Sequence, residues 1–232
     1  MKKEAFKLLH DGENSWWYRG RKLAVEKVLS KFARSGGRIL DFGAGFGGMS
    51  EALSGYGTVF AFEPDKEAGA VAAEKGYAKI FSSPEEIFSG EKFRGIALFD
   101  VLEHMDDDSG FLKTARENLE DGGYIILTVP AYQWLWSIHD INHHHKRRYS
   151  RGEIIRLLKK EGFSVSYASY WNMLLFIPVA VVRLFGGTGE SSFAMSKLAD
   201  SVFYAVVFLE SLLMPKIVLP FGTGLVVFAE KK

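Results

Sequence analysis

The chain has 232 residues, a length that suits one α/β domain and leaves little room for a second complete one. Apolar residues make up 47% and charged residues 25% of the chain, as in packed globular proteins, and the 14% of aromatic residues predicts an apolar pocket or surface. The formal net charge of +1 argues against a nucleic-acid partner, and the absence of cysteine excludes disulfides, cysteine catalysis and cysteine-based zinc sites.

The N-terminal segment predicts a helix ahead of the first strand. Residues 1–7 are charged and contain no apolar run, so we expect no signal peptide and a cytoplasmic protein. Apolar residues then recur at near-helical spacing from Leu23 to Phe32, and Gly36 and Gly37 end the pattern.

Short apolar strands alternate with helical patterns after this glycine pair. The first five strands are predicted at 38–42, 58–62, 78–81, 95–99 and 124–129. Such alternation indicates βαβ units and a parallel sheet. Ser150 and Glu153 have the spacing of a capping box and begin a further helix, which ends at Gly162. The last two strands are predicted at 163–170 and 225–229.

The link between these last two strands is about fifty residues long, far beyond the usual length of a hairpin loop. It contains two apolar runs, at 171–182 and 202–214. A membrane span needs about 20 apolar residues, whereas Pro178 interrupts the first run and Glu210 the second. Residues 171–222 therefore predict an apolar helical insert that either caps a pocket or rests at a membrane interface.

A glycine-rich loop follows the first predicted strand directly. Its pattern, Asp41-x-Gly43-x-Gly45-x-Gly47, lets the backbone turn sharply and approach a ligand, and the following helix start offers free N–H groups. The loop also matches the dinucleotide fingerprint, and Glu63 lies about twenty residues further on, where a carboxylate can hold ribose hydroxyls. These features fit a nicotinamide cofactor and S-adenosylmethionine equally.

Three further features distinguish the two cofactors. Asp41 precedes the first glycine, the segment from Asp100 to His104 follows the fourth strand, and the last strand returns as an antiparallel insert would. Together they resemble the class I S-adenosylmethionine-dependent methyltransferases, in particular a bacterial small-molecule subgroup. The resemblance implies one Rossmann-like α/β domain over 1–232, with helices on both faces of a seven-stranded, mostly parallel sheet, an antiparallel last strand and a helical insert before it.

The resemblance also implies S-adenosylmethionine as the cofactor and a set of residues that bind it. Gly43, Ala44 and Gly45 would line the methionine part, and residues 1–35 would form a helical lid whose Arg21 meets the methionine carboxylate. The full set implied for cofactor binding is Arg21, Asp41, Gly43, Ala44, Gly45, Gly47, Glu63, Pro64, Ser82, Asp100 and Val101.

One candidate catalytic cluster is Asp100-x-x-Glu103-His104. It resembles a carboxylate-carboxylate-histidine pattern that binds a divalent ion in some ubiquinone-pathway and RNA-end methyltransferases. Asp100 stands where those families usually have glutamate, which shortens the reach of the carboxylate. We therefore predict no metal and a His104 that lines the acceptor pocket.

The second candidate cluster is the histidine-rich segment 134–149. Three interpretations of this segment are open. His139 and His143 are four residues apart and would share a helix face, but no other pattern supports a zinc site. A solvated basic loop is an alternative. We favour an active-site loop, because its residue order resembles the same bacterial subgroup and it follows the fifth strand, at the ligand-binding edge of the sheet.

The residues of these clusters divide into two roles. His139 or one of residues 143–145 could take a proton from the acceptor. The catalytic candidates are His104, His139, His143, His144 and Tyr149, and the acceptor-binding candidates are Trp136, Arg147 and Arg148.

The expected activity is methyl transfer to an oxygen or nitrogen atom of a small, amphipathic acceptor. Peripheral membrane contact and a homodimer are further expectations from the apolar insert. A nicotinamide-dependent oxidoreductase is the alternative, but it lacks a catalytic Tyr-x-x-x-Lys pattern and leaves Asp41 and Asp100 unexplained. A cofactor-binding protein without catalysis, whose insert is a dimer interface, is a third reading.

Overall fold

A seven-stranded sheet forms the centre of the computed structural model, which describes residues 12, 14–88, 90–185 and 196–232. The strands are β1 (Arg38–Phe42), β2 (Thr58–Phe62), β3 (Lys79–Phe81), β4 (Phe93–Phe99), β5 (Leu119–Pro130), β6 (Phe163–Trp171) and β7 (Gly224–Lys231). Their order is β3-β2-β1-β4-β5-β7-β6, and β7 runs antiparallel to both neighbours while the other pairs are parallel. The predicted Rossmann-like fold with an antiparallel last strand is confirmed.

Helices precede the sheet and connect its strands. They are α1 (Trp16–Phe32), α2 (Ser50–Ser54), α3 (Lys66–Ala72), α4 (Pro84–Phe88), α5 (Asp108–Glu117), α6 (Ile138–Asn142), α7 (Arg151–Lys160), α8 (Phe176–Phe185) and α9 (Lys197–Ser211). The 3-10 helices are Ala73–Lys75, Leu102–His104 and Gln133–Leu135. Among the described helices, none combines the length and the apolar character needed to cross a bilayer.

The strands β4 and β5 begin earlier than the sequence predicts, because their pairing contains an irregularity. Phe93 pairs with Leu119, and the register then shifts so that Gly95 pairs with Tyr124. A Cβ on Gly95 would lie 2.6 Å from the ring of the buried Tyr124, so a side chain at this position would displace that ring. An apolar run does not indicate such a shift, since the irregularity depends on the partner strand.

Helix α9 of the insert packs alongside α1. A Cβ on Gly20 would lie 2.6 Å from Val207 Cγ1, and Trp16 meets Phe203 edge to face at 5.4 Å. Asp200 accepts hydrogen bonds from the Trp16 N–H at 2.7 Å and from Arg19 Nη2 at 2.5 Å. The described parts of the predicted lid and the predicted insert therefore form one helical layer; residues 1–11, 13 and 186–195 lie outside the described residues.

Candidate functional site

The glycine-rich loop connects β1 to α2 in a conformation that needs glycine. Gly43, Gly45 and Gly47 have φ values of 78°, 57° and 83°, in the left-handed region. A Cβ on Gly43 would lie 2.7 Å from Val101 Cγ2. At Gly45, in contrast, a Cβ would meet nothing within 4 Å. The loop is thus packed on one side by Val101 and open at Gly45, as a ligand cradle requires.

Glu63 ties this loop to the end of β2. Its Oε2 accepts a hydrogen bond from the Gly45 N–H at 2.8 Å, and its Oε1 accepts one from the Asp65 N–H at 2.8 Å. Burial raises the pKa of the Glu63 carboxyl, and these two backbone bonds oppose the rise. Pro64 and Ser82 are exposed just beyond β2 and β3, whose last residues Phe62 and Phe81 pair. The predicted ribose and adenine residues therefore lie at one edge of the sheet.

Asp41 lies in β1, two residues before the first glycine of the loop. Its side chain is buried and accepts a hydrogen bond from Tyr77 Oη at 2.6 Å. A Cβ on Gly47 would lie 3.0 Å from the same tyrosine ring. Burial raises the pKa of Asp41 to about 6, although the Tyr77 bond and the charge of Arg21 lower it. Tyr77, which binds Asp41, therefore also lies against the loop at Gly47.

Asp100 occupies a constrained position directly after β4. Its φ of 56° is unusual for a residue with a side chain. Thr128 Oγ1 donates to Asp100 Oδ1 at 3.0 Å, and Arg21 of α1 forms an ion pair with Oδ2. The ring of Tyr18 lies 4.9 Å from the Arg21 guanidinium carbon. Helix α1 thus places a buried arginine at the edge where the cofactor is expected.

The histidine-rich segment is built around the buried carboxylate of Asp140. Arg148 donates to it through Nε at 2.8 Å and through Nη2 at 2.9 Å, and His145 Nδ1 lies 2.8 Å from Oδ1. The Ser137 N–H adds a bond of 2.9 Å, which starts α6 with a capping box. Burial alone would raise the pKa of Asp140, but the bonds from His145 and Arg148 lower it below its ordinary value.

His145 connects this carboxylate to the 3-10 helix after β4. Its Nε2 lies 4.0 Å from Glu103 Oε1, and its ring meets the His104 ring edge to face at 4.8 Å. Glu103 is fully buried, and neither of its carboxylate oxygens is hydrogen-bonded to another described residue. Burial, followed by the nearby charge of Asp100, raises the pKa of Glu103 well above its ordinary value.

One group of side chains in this region could hold a divalent ion. Ligand atoms of Glu103, His104 and His145 all lie within 4.8 Å of one another. Asp100, the first residue of the pattern seen in the sequence, is instead bound to Arg21 and Thr128. The structure therefore assembles a different set of donors from the one that the sequence suggested, and the absence of a metal stays a prediction.

The other predicted histidines surround His145. The rings of His139 and His143 are 4.2 Å apart, and each lies about 6 Å from the His145 ring. Burial lowers the pKa of His104 to about 4, and it also lowers the pKa of His139. His144 has a φ of 57° and an exposed side chain, so it occupies a turn.

The remaining predicted residues hold the segment in place. The Arg148 side chain is only 1% exposed, and its Nη1 donates to the Ala131 carbonyl at 3.1 Å. Arg147 and Tyr149 both bind Asp108, at 2.9 Å each. Trp136 is partly buried after the 3-10 helix. Arg147, Arg148 and Tyr149 thus have protein partners. Contact with an acceptor stays a prediction for Trp136, Arg147 and Arg148, as does catalysis for Tyr149.

An aromatic cluster beside this segment was not among the sequence-based candidates. The Tyr132 ring stacks with Tyr170 at 5.0 Å and with Trp134 at 5.6 Å, and Phe176 of α8 lies 6.0 Å from both Tyr132 and Trp134. Trp134 is 55% exposed. Residues from the segment after β5, from β6 and from α8 meet here, so the cluster could be found only from the three-dimensional arrangement.

Comparison with known families matches this geometry. Residues 16–168 match the family described as a methyltransferase domain. The chain belongs to this methyltransferase family. The match covers α1, the glycine loop and the histidine-rich segment, and it supports S-adenosylmethionine rather than a nicotinamide as the cofactor. No curated protein matches the sequence.

Solved structures show the same methyltransferase fold. A SAM-dependent methyltransferase from Thermotoga maritima superposes with a TM-score of 0.60 and 17% identity, covering 98% of this chain and 97% of that one. One from Archaeoglobus fulgidus gives 0.55 and 17%, covering 90% and 94%. Phosphoethanolamine N-methyltransferase 2 of Haemonchus contortus, solved with S-adenosyl-L-methionine, gives 0.55 and 17%, covering 91% of this chain and 52% of that one. The predicted class I fold is thereby confirmed.

Proposed function

We propose that this methyltransferase transfers a methyl group to an oxygen or nitrogen atom of a small, amphipathic acceptor, and that His145 takes the acceptor proton. S-adenosylmethionine, when bound, supplies the activated methyl group. The single observation that carries the assignment of the base is the Asp140–His145 pair, with Nδ1 of the imidazole 2.8 Å from the buried carboxylate. The open backbone at Gly45 and the buried Arg21 fit the cofactor.

The Asp140 contact gives His145 the form that a general base needs. A carboxylate at Nδ1 keeps the ring proton on that atom, so Nε2 carries the free lone pair. Arg148 keeps Asp140 ionised by a bidentate contact. Nε2 lies on the side of the ring that faces Glu103 and His104, in the 3-10 helix after β4.

The other candidates are less suited to this role. The lowered pKa values of His104 and His139 make them weak bases near neutral pH. The Tyr149 hydroxyl donates to Asp108, and burial raises its pKa further, so it keeps its proton. His104, His139 and Tyr149 remain candidates for lining the acceptor pocket near His145.

The amphipathic character of the acceptor is supported by two neighbouring surfaces. The cluster of Tyr132, Trp134 and Phe176 offers stacked, partly exposed rings. The second surface is polar and contains Arg183 of α8, whose Nη1 lies 4.0 Å from Asp140 Oδ2. An acceptor with an apolar body and a polar reacting end would match these two kinds of side chain.

Two measurements test the proposal in turn. Titration calorimetry with S-adenosylmethionine tests cofactor binding, and a panel of phenols and amines with apolar chains tests turnover by release of the homocysteine product. His145→Gln is expected to bind the cofactor as the wild type does and to lose about 100-fold or more in kcat/KM. His144→Gln, on the exposed turn, is the matched control and is expected to keep its activity. Full activity of His145→Gln with an unchanged pH profile would exclude His145 as the base.

A further inference from the structure

The outer face of α9 exposes apolar side chains from the start of the helix to the residue that follows its end. Leu198, Val202, Leu209 and Leu212 follow one another at helical spacing and are 76%, 51%, 60% and 46% exposed. The opposite face of the helix packs on α1 through Phe203 and Val207. A helix of a globular protein normally has a polar outer face, so an apolar outer face indicates a further partner.

Helix α8, the other helix of the insert, also exposes apolar side chains. Ile177, Val181 and Leu184 are spaced as one face of a helix and are 71%, 50% and 47% exposed. Near the end of α9, the carboxylate of Glu210 accepts hydrogen bonds from the N–H groups at the approach to α8, among them that of Leu174 at 2.9 Å. The start of α8 therefore lies near the end of α9, and we call the exposed apolar side chains of the two helices jointly the apolar face.

The two carboxylates of the insert in the described residues, Asp200 and Glu210, do not lie on the apolar face. Glu210 is 2% exposed and bound by backbone N–H groups. Asp200 is bound to α1 by Arg19 and by the Trp16 N–H. The acidic groups of α9 thus point toward the protein and leave the outer side without negative charge.

Lysines mark both ends of the α9 face. Lys197 is exposed at the start of the helix and Lys216 is exposed just beyond its end. The 15 residues of α9 span about 22 Å. Lys31 of α1 joins the far end, with Nζ 3.5 Å from the Pro215 carbonyl. Such lysines can extend their ammonium groups past an apolar surface toward negative charge.

A cationic groove adjoins the same end. It is an open groove whose lining includes Arg151, Lys159 and the exposed Val218. Ser166, also in the lining, donates to the Glu230 carboxylate at 2.8 Å. The neighbouring Tyr167 hydroxyl donates to the Ile217 carbonyl at 3.1 Å, which holds this part of the chain against β6. The apolar face therefore ends beside a groove that carries two basic side chains, Arg151 and Lys159.

We propose that the apolar face is a docking surface for a lipid bilayer with anionic headgroups. Exposed apolar side chains with a basic border are the features by which helices bind in the plane of a bilayer surface. A second copy of the chain is less complementary, because a face-to-face pair would bring the same lysine borders together. The contact of Arg183 with Asp140 places α8 between the bilayer and the histidine-rich segment.

Vesicle sedimentation of the full chain tests this proposal without any methyl transfer. The probes are vesicles of phosphatidylcholine alone and of phosphatidylcholine mixed with phosphatidylglycerol. The wild type is expected to sediment with the mixed vesicles. The double variant Val202→Ser/Leu209→Ser is expected to lose at least about tenfold in partitioning, because apolar burial drives the contact.

Charge variants separate the roles of the apolar and basic groups. Lys197→Gln/Lys216→Gln is expected to weaken binding to the mixed vesicles, whereas Lys92→Gln, an exposed lysine just before β4, is the matched control and should bind as the wild type does. Thermal unfolding and calorimetry with S-adenosylmethionine confirm that each variant is folded.

Three results would overturn the proposal. The first is no sedimentation of the folded wild type with mixed vesicles. The second is equal binding to both kinds of vesicle. The third is a dimer in analytical ultracentrifugation that Val202→Ser/Leu209→Ser dissociates, since the face would then bind a second copy.

Discussion

Replacement of Asp140 by asparagine removes the charge on which the histidine-rich segment depends. The wild-type carboxylate accepts two hydrogen bonds from Arg148, one from His145 and one from the Ser137 N–H. Asparagine keeps one accepting oxygen and turns an amide N–H₂ toward the donors of the other. The buried Arg148 would then lack a counter-charge.

The expected cost follows from these contacts. Hydrogen bonds to charged groups contribute about 1.5–3 kcal/mol each, and removal of one partner of a buried ion pair costs about 3–5 kcal/mol. We therefore expect Asp140→Asn to lower the free energy of unfolding by about 3–5 kcal/mol. This is a large part of the roughly 5–15 kcal/mol typical of a domain.

Urea unfolding followed by circular dichroism measures this change. Asp121→Asn is the matched control, because Asp121 is fully exposed and pairs with Lys231 only at the surface, so little change is expected. Arg148→Met in the Asp140→Asn background removes the unpaired charge and is expected to restore part of the stability. A loss below about 1 kcal/mol for Asp140→Asn, or no recovery in the double variant, would refute the reasoning.

Two further predictions concern the cofactor loop and pH. Gly43→Ala forces a Cβ to 2.7 Å from Val101 at a φ of 78°, so the Kd for S-adenosylmethionine in calorimetry should rise about tenfold. Gly55→Ala, with no atom within 4 Å of the new Cβ and a φ of −66°, should leave it unchanged. The pKa of Asp140 lies below its ordinary value of 3.8, so its stabilisation is present above that pH and is lost as the pH falls through the lowered pKa. The difference in unfolding free energy between wild type and Asp140→Asn should shrink on acidification in urea titrations at several pH values, and a constant difference would contradict this.

Local patterns were sufficient to predict most of the sheet. β1 and β2 lie at the predicted residues, because each is a short apolar run next to glycine or proline. The apolar run from 171 to 182 did not predict where β6 ends and α8 begins. Trp171 is the last residue of β6, and α8 begins only at Phe176. Asn172, with a φ of 59° and its N–H bound to Glu210, separates the two elements.

Within the site, the sequence alone predicted the tight glycine-rich turn after β1, since glycines at this spacing allow the positive φ values that the loop adopts. It did not single out His145 among the adjacent histidines. Asp140, five residues earlier, is a local signal for that choice, but its burial depends on Arg148 and its surroundings. The contacts of Asp100 with Arg21 and of His145 with Glu103 join residues far apart in the chain. Only the packing of α1 and the histidine-rich segment on the sheet decided them, because side chains from separate elements meet at the carboxyl ends of parallel strands.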